Sequence, residues 1–272
     1  MVRSLWTGAT GMIAQQTSLD NIANNLANVN TMGYKSQSIE FKSLLYQTMQ
    51  TRTTSANGDA KPSSAQVGLG TRVSSINTSF RQGSLLASEL DTSFALSGKG
   101  FFGVRGGDGN TYYTRNGNFQ WTTYTNGSNM LADSDGNPVL DTQNRPIVLG
   151  SQYQTSLIQV SKEGEVMYPD ANNNLQSTGY KIGRWQFSNP NGLYREGDSL
   201  YSQTAASGQP INEETATNIQ KTQVIQGYLE GSNVQVADEM VNMITTQRAY
   251  EFNSKVITTS DTMLEEANNL RR

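Results

Sequence analysis

The chain contains neither cysteine nor histidine in 272 residues. Without cysteine there is no disulfide, no thiolate nucleophile and no cysteine-based zinc site. Without histidine it lacks the commonest general base and the commonest transition-metal ligand. No apolar run reaches the roughly 18 residues that a membrane-spanning helix needs. The opening residues, Met1-Val2-Arg3-Ser4-Leu5-Trp6-Thr7-Gly8, carry no apolar core segment, so no cleavable signal peptide is expected. Taken alone that favours the cytoplasm, while leaving open export by a route that reads no such signal. A formal net charge of −3 offers no basic footprint, which argues against nucleic acid as a partner. Hydrophobic residues make up 35% and charged residues 16%. The core is therefore expected to be thin and the surface polar but largely uncharged.

The two ends of the chain carry the clearest periodicity. Near the N-terminus Leu5, Met12, Leu19 and Leu26 recur every seven residues, with Trp6, Ile13, Ile22 and Val29 widening the apolar face. Near the C-terminus Val236, Met243, Tyr250, Ile257 and Leu264 repeat that spacing, flanked by Met240, Ile244, Val256 and Met263. A seven-residue apolar repeat keeps one seam of a helix turned to a partner. The first helix is expected from about Arg3 to Asn28 and the last to begin after Gly231, with Ser232 as its N-cap ahead of Gln235. Two helices cannot enclose a seam on all sides, which points to packing against other chains. The expected self-assembly residues are Leu5, Met12, Leu19, Ile22, Leu26, Val236, Met240, Met243, Tyr250, Ile257 and Leu264.

Between these ends the signals are those of strand and turn. Ile39 to Met49 is read as a possible second helix, and Thr51 to Gln66 as a long loop or arm. Strands are expected over residues 72–80, and over Phe101–Arg105 with Thr111–Arg115 as a hairpin about a glycine-rich turn. A second hairpin is expected around Glu163-Gly164, and an alternating strand from Tyr180 to Phe187; Asn189 to Thr217 reads as loop. The fold class is thus α+β: N- and C-terminal helices paired as a coiled-coil-like stem, with a mainly antiparallel β middle. The expected division is 1–45 plus 228–272 as a terminal helical domain, 46–70 as an extended arm, and 71–227 as a β-rich domain.

Three motifs suggest chemistry and are better explained without it. Gly98-Lys99-Gly100-Phe101-Phe102-Gly103 has dinucleotide-loop spacing but is followed by hairpin rather than helix, so a kinked strand with close backbone packing is expected. Asp133-Ser134-Asp135-Gly136-Asn137 opens like a calcium loop, but Pro138 and Asn144 stand where that loop requires glycine and glutamate, leaving a polar turn. The pairs Glu163/Glu165 and Glu213/Glu214 lack the apolar setting that would tune a glycosidase. No catalytic residue, cofactor or metal site is expected.

Four stretches resemble, in order, the bacterial flagellar rod and hook proteins. They are Leu19-Asp20-Asn21-Ile22-Ala23-Asn24-Asn25-Leu26 running on to Gly33-Tyr34-Lys35; Gly98-Lys99-Gly100-Phe101-Phe102 with Tyr113-Thr114-Arg115-Asn116-Gly117-Asn118-Phe119; Gly227-Tyr228-Leu229-Glu230-Gly231-Ser232-Asn233-Val234; and Glu239-Met240-Val241 through Ala249-Tyr250-Glu251. The segment Leu44-Leu45-Tyr46-Gln47-Thr48 with Val67-Gly68-Leu69-Gly70-Thr71 is similar to the distal-rod branch, whereas Ser93-Phe94-Ala95-Leu96 departs from the family's usual pattern before Gly98. The resemblance implies a structural subunit of a tubular drive shaft that transmits torque, encloses an export channel, and is itself exported by the flagellar type III apparatus. Its implied partners are further copies of itself, neighbouring rod and hook proteins, and the surrounding basal-body rings; its implied place is the periplasmic rod. A proximal rod or hook subunit of the same family is the alternative, and a secreted β-rich binding module is the alternative from another class.

Overall fold

A computed structural model describes residues 2–49, 66–124, 127–170 and 174–270. The chain forms two units, one from Met1–Ala27, Gln37–Thr78 and Gln235–Arg272, the other from Asn28–Ser36 and Ser79–Val234.

The first unit holds α1 (Val2–Ala27), β1 (Gln37–Ser43), β2 (Tyr46–Thr48), β3 (Gln66–Gly68), β4 (Thr71–Thr78) and α2 (Val236–Asn269). The two helices run antiparallel: Ser4 Oγ meets Ser260 Oγ at 3.0 Å near one end, and Asn25 Nδ2 donates to Glu239 Oε1 at 3.2 Å near the other. Asn25 also grips the backbone of Gln37, accepting from its N–H at 2.9 Å and donating to its C=O at 2.8 Å. That clasp fixes the start of β1 against α1. β1 pairs with β4 antiparallel from Gln37↔Thr78 to Ser43↔Thr71, with a bulge at Glu40/Phe41. The possible helix over Ile39–Met49 is therefore strand: apolar Ile39 and Phe41 alternate with Ser38, Glu40 and Lys42, and a period of two suits a ladder with β4. β2 and β3 form a short ladder, Tyr46↔Gly68 to Thr48↔Gln66. The arm expected over Thr51–Gln66 lies outside the described residues except for Gln66, which opens β3.

α2 starts at Val236, four residues beyond the expected cap, and Gln235 in the N-cap position makes no side-chain cap bond. Ser232 instead receives the Val234 N–H at 3.3 Å in a local turn, which competes with helix at that point.

The second unit is antiparallel β throughout its strand pairings. Its strands are β5 (Leu85–Ala87), β6 (Phe94–Ser97), β7 (Phe101–Arg105), β8 (Thr111–Thr114), β9 (Gln120–Thr123), β10 (Asn129–Ala132), β11 (Val148–Leu149), β12 (Gln159–Val160), β13 (Glu165–Pro169), β14 (Leu175–Lys181), β15 (Arg184–Gln186), β16 (Tyr194–Gly197), β17 (Leu200–Ser202), β18 (Ile211–Asn212), β19 (Gln223–Gln226) and β20 (Tyr228–Glu230). The largest sheet has the order β16-β17-β8-β7-β15-β18. Its centre is the expected β7–β8 hairpin, and the expected turn at Glu163-Gly164 joins β12 to β13.

Two expectations fail here. Tyr180–Phe187 is split between β14 and β15, which belong to different sheets. Gly183 lies at the break, where an added methyl would fall 2.0 Å from the Trp185 ring. Asn189–Thr217 is not all loop, since it contributes β16, β17 and β18 to the largest sheet. Its strands are too short to show a period.

Successive side chains on a strand point to opposite faces. Phe102 and Val104 accordingly enter one buried cluster with Phe94, Phe119, Leu131, Ile147, Ile182 and Val224. Phe101 enters another with Tyr113, Leu140, Trp185, Phe187 and Tyr201.

Candidate assembly interface

α1 is held to α2 by its small and polar side, not by its leucine row. Gly8, Gly11 and Ala14 are buried on α1, followed by Asn21, Ile22 and Asn25. A methyl on Gly8 would sit 3.0 Å from Ile257 Cγ1, and one on Gly11 2.9 Å from Asn253 Nδ2. Each mid-helix glycine costs about 1 kcal/mol relative to alanine, a cost offset here by close approach of the two backbones. On α2 the only buried residues are polar, Thr246 and Ser260.

The predicted assembly residues are distributed unevenly around this contact. Ile22 is buried; Leu5, Met12, Leu19, Leu26, Met243, Ile257 and Leu264 are half-buried; Val236, Met240 and Tyr250 are exposed. Ile257 packs on Gly8, and Leu19 and Tyr250 line an open cleft of about 400 Å³ with Gln15, Gln16, Thr246 and Gln247. A helix with 3.6 residues per turn drifts by about 20° per seven-residue repeat. A straight helix therefore does not hold the row from Val236 to Leu264 on one side, and exposure varies along it, with Val236 and Tyr250 exposed and Met243, Ile257 and Leu264 half-buried.

What this leaves uncovered is large and apolar. Val241, Ile244 and Phe252 are 60%, 56% and 64% exposed on α2, and Trp6 and Ile13 are 67% and 65% exposed on α1. At about 100° per residue, Val241, Phe252, Val256 and Met263 fall within roughly 60° of one another, away from the side facing α1. Among the described residues, neither amide atom of buried Asn21 finds a hydrogen-bond partner. That residue lines a second cleft, of about 250 Å³, with Ser18, Ile22, Gln37 and Glu239 among its walls. Burial pushes the Glu239 carboxyl above its ordinary range, against a hydrogen bond from Asn25 that pulls it down.

The glycine run, the Asp133 turn and the Glu213/Glu214 pair have structural roles. The Gly98–Gly103 run follows β6 and continues into β7, with strand where a dinucleotide site needs helix. Gly98 has φ +137°, and a methyl on Gly100 would meet Glu213 Oε1 at 2.6 Å. Asp133 closes its own turn, accepting from the N–H groups of Asp135 and Asn137 at 3.0 and 2.8 Å. Glu213 is fully buried beside Arg184, accepting from the Thr222 N–H at 2.7 Å, the Thr222 hydroxyl at 2.6 Å and Gln186 Nε2 at 2.7 Å. Its carboxylate is occupied by structural donors. Glu214 is held below its usual range by a hydrogen bond from Lys181.

Sequence reasoning missed a buried charge cluster. Glu230 accepts from Lys35 Nζ at 2.5 Å, Arg115 Nη1 at 3.2 Å and the Gly83 N–H at 3.0 Å. Lys35 also donates to the Arg81 carbonyl at 2.8 Å, and Arg115 to the Gly98 carbonyl at 2.7 Å while lying over the Phe101 ring. All three charged side chains are almost wholly buried. Burial pushes the Lys35 ammonium below the usual lysine value, and Glu230 beside it opposes that shift. The only signal available in the sequence was that three of the family-like stretches each carry one of these charges.

Three family descriptions match the chain in order: "Flagella basal body rod protein" at residues 5–35, "Flagellar hook protein FlgE/F/G D1 domain" at 95–168, and "Flagellar basal body rod FlgEFG protein C-terminal" at 225–270. Proteins named flagellar basal-body rod protein FlgG are similar along the whole length. That of Borreliella burgdorferi is 41% identical, covering 100% of both chains. That of Agrobacterium fabrum is 39% identical, covering 96% of this chain and 97% of its own. That of Buchnera aphidicola from Acyrthosiphon pisum is 38% identical, covering 99% and 100%. Similarity of this extent defines a class: a structural component of the bacterial flagellum rather than an enzyme. The chain belongs to the flagellar basal-body rod protein family, in its distal-rod branch.

Proposed function

We propose that copies of this chain polymerise into a helical tube in which the terminal helices line the bore as a coiled-coil-like stem and the β unit faces outward. In that tube residues 1–45 and 228–272 act as the inner domain, 46–70 as an arm between subunits and 71–227 as the outer domain. The tube transmits torque and encloses the channel through which later subunits are exported. The chain itself leaves by the flagellar type III apparatus, crosses the periplasm within the rod, joins neighbouring rod and hook proteins along the axle, and turns inside the basal-body rings. The predicted assembly residues, from Leu5 to Leu264, act at contacts between helices, Ile22 and Ile257 chiefly within one copy and the others also between adjacent copies.

The observation that carries this reading is the exposed apolar surface of α2. A 34-residue helix whose only buried residues are Thr246 and Ser260, and which shows Val241, Ile244 and Phe252 to solvent, has its apolar partners elsewhere. Burying such side chains is worth about 25 cal/mol per Å². The orphan amide of Asn21 supports the same view, because a buried unpaired polar group costs about 1–3 kcal/mol until something satisfies it. The test is electron microscopy of concentrated purified protein. Straight hollow tubes are expected, and a monodisperse monomer at every concentration and salt would refute the proposal.

A further inference from the structure

The chain crosses between its two units at 27/28, 36/37, 78/79 and 234/235. Within the β unit, the segments that end at these crossings are tied to one another by a few buried polar groups. Glu230 joins Lys35 to Gly83 and Arg115. Its own carbonyl receives the Gly33 N–H at 2.7 Å. Asn233 accepts from the Ser36 N–H at 2.7 Å and donates to the carbonyls of Ser79 and Arg81 at 2.7 and 3.0 Å. Gly33, at φ +70°, brings its backbone so close to Arg115 and Asn116 that an added methyl would lie 2.6 Å from the Asn116 nitrogen.

From this we infer that Glu230 is a positioning residue: with Lys35 and Arg115 it forms an ionic latch that fixes the points at which the chain enters and leaves the β unit. The latch adjoins the aromatic core at one point, where Arg115 lies over the Phe101 ring. Its charge count is uneven, with two cations on one carboxylate. Neutralising Glu230 leaves two buried cations facing each other, whereas neutralising Lys35 leaves a matched Arg115–Glu230 pair. A role in filling space alone gives no such order, because glutamine replaces glutamate at nearly equal size.

The test is amide hydrogen exchange on the purified full-length chain. In Glu230→Gln, the amides of Gly33, Ser36 and Gly83 are expected to exchange at least about tenfold faster, while those of Val104 and Leu131 keep wild-type rates. In Lys35→Met the same amides should change by less than about threefold. Three results would overturn the latch: unchanged exchange in Glu230→Gln, equal effects of the two substitutions, or a Glu230→Gln chain that loosens throughout or fails to fold. A second arm, which rests on the polymer proposed above, asks for tubes. Glu230→Gln should lose them while Lys35→Met keeps them, and tubes of wild-type yield from Glu230→Gln count against the latch. Absence of tubes from the wild-type chain would sink the polymer and leave the exchange result standing.

Discussion

Tyr113 shows how one side chain records the burial around it. It packs edge-on against Trp185 and Phe187, with ring centroids 5.9 and 4.8 Å apart. Desolvation there pushes its hydroxyl up to about 12. In an unfolded chain the group titrates near its ordinary value of about 10. Below that pH both states hold the proton and the group adds no pH dependence. Between about 10 and 12 only the unfolded state releases it, so folding stability falls by about 1.4 kcal/mol per pH unit. Burial also raises Tyr201, which adds a decline of the same sign. Tyr113→Phe should therefore flatten the loss of stability above pH ~10. Urea midpoints at pH 8.5 and 11 would measure it, and identical slopes for the two proteins would show that this hydroxyl is not buried as described. Neither tyrosine was distinguishable in the sequence from the other ten, because burial is a property of the neighbours.

At the scale of elements, α1 shows both the reach and the limit of periodicity. The apolar row and the Asn-rich stop at its end gave a helix from about Arg3 to Asn28, against Val2–Ala27 observed. The seven-residue row was legible too, but not which side meets α2 within the chain. Ser4, Gly8, Gly11 and Ala14 make that side because small residues admit the closest approach. Gly11→Val should push Asn253 away and weaken the helix pair by about 1–3 kcal/mol. Limited proteolysis would then trim both ends faster than in the wild type while the β unit resists. Wild-type resistance of both ends would show that the helices are not paired through this side. Residues 39–49 failed for the opposite reason. A short apolar run fits either period, and pairing with β4 and β3 decided it.

For the whole molecule, stability and assembly should come apart. Phe252 is 64% exposed on α2, so Phe252→Asp should change stability by no more than about 0.5 kcal/mol yet abolish tubes. Ile257→Asp, placed against Gly8, should harm both. Thermal unfolding and electron microscopy on the same samples would separate the two, and tubes formed by Phe252→Asp would remove α2's outer side from the interface. The sequence by itself determined that the ends are helical, that the middle is built of turns and antiparallel strands, and which family the chain belongs to. Those features rest on interactions between near neighbours: helix period, turn chemistry and short signature stretches. The tertiary structure alone decided which face of each helix is covered, how the short strands pair, and that Lys35, Arg115 and Glu230 share one buried point. These choices depend on residues as far apart as Ser4 and Ser260, whose shapes and charges must fit before burial becomes favourable, and no local pattern encodes that fit.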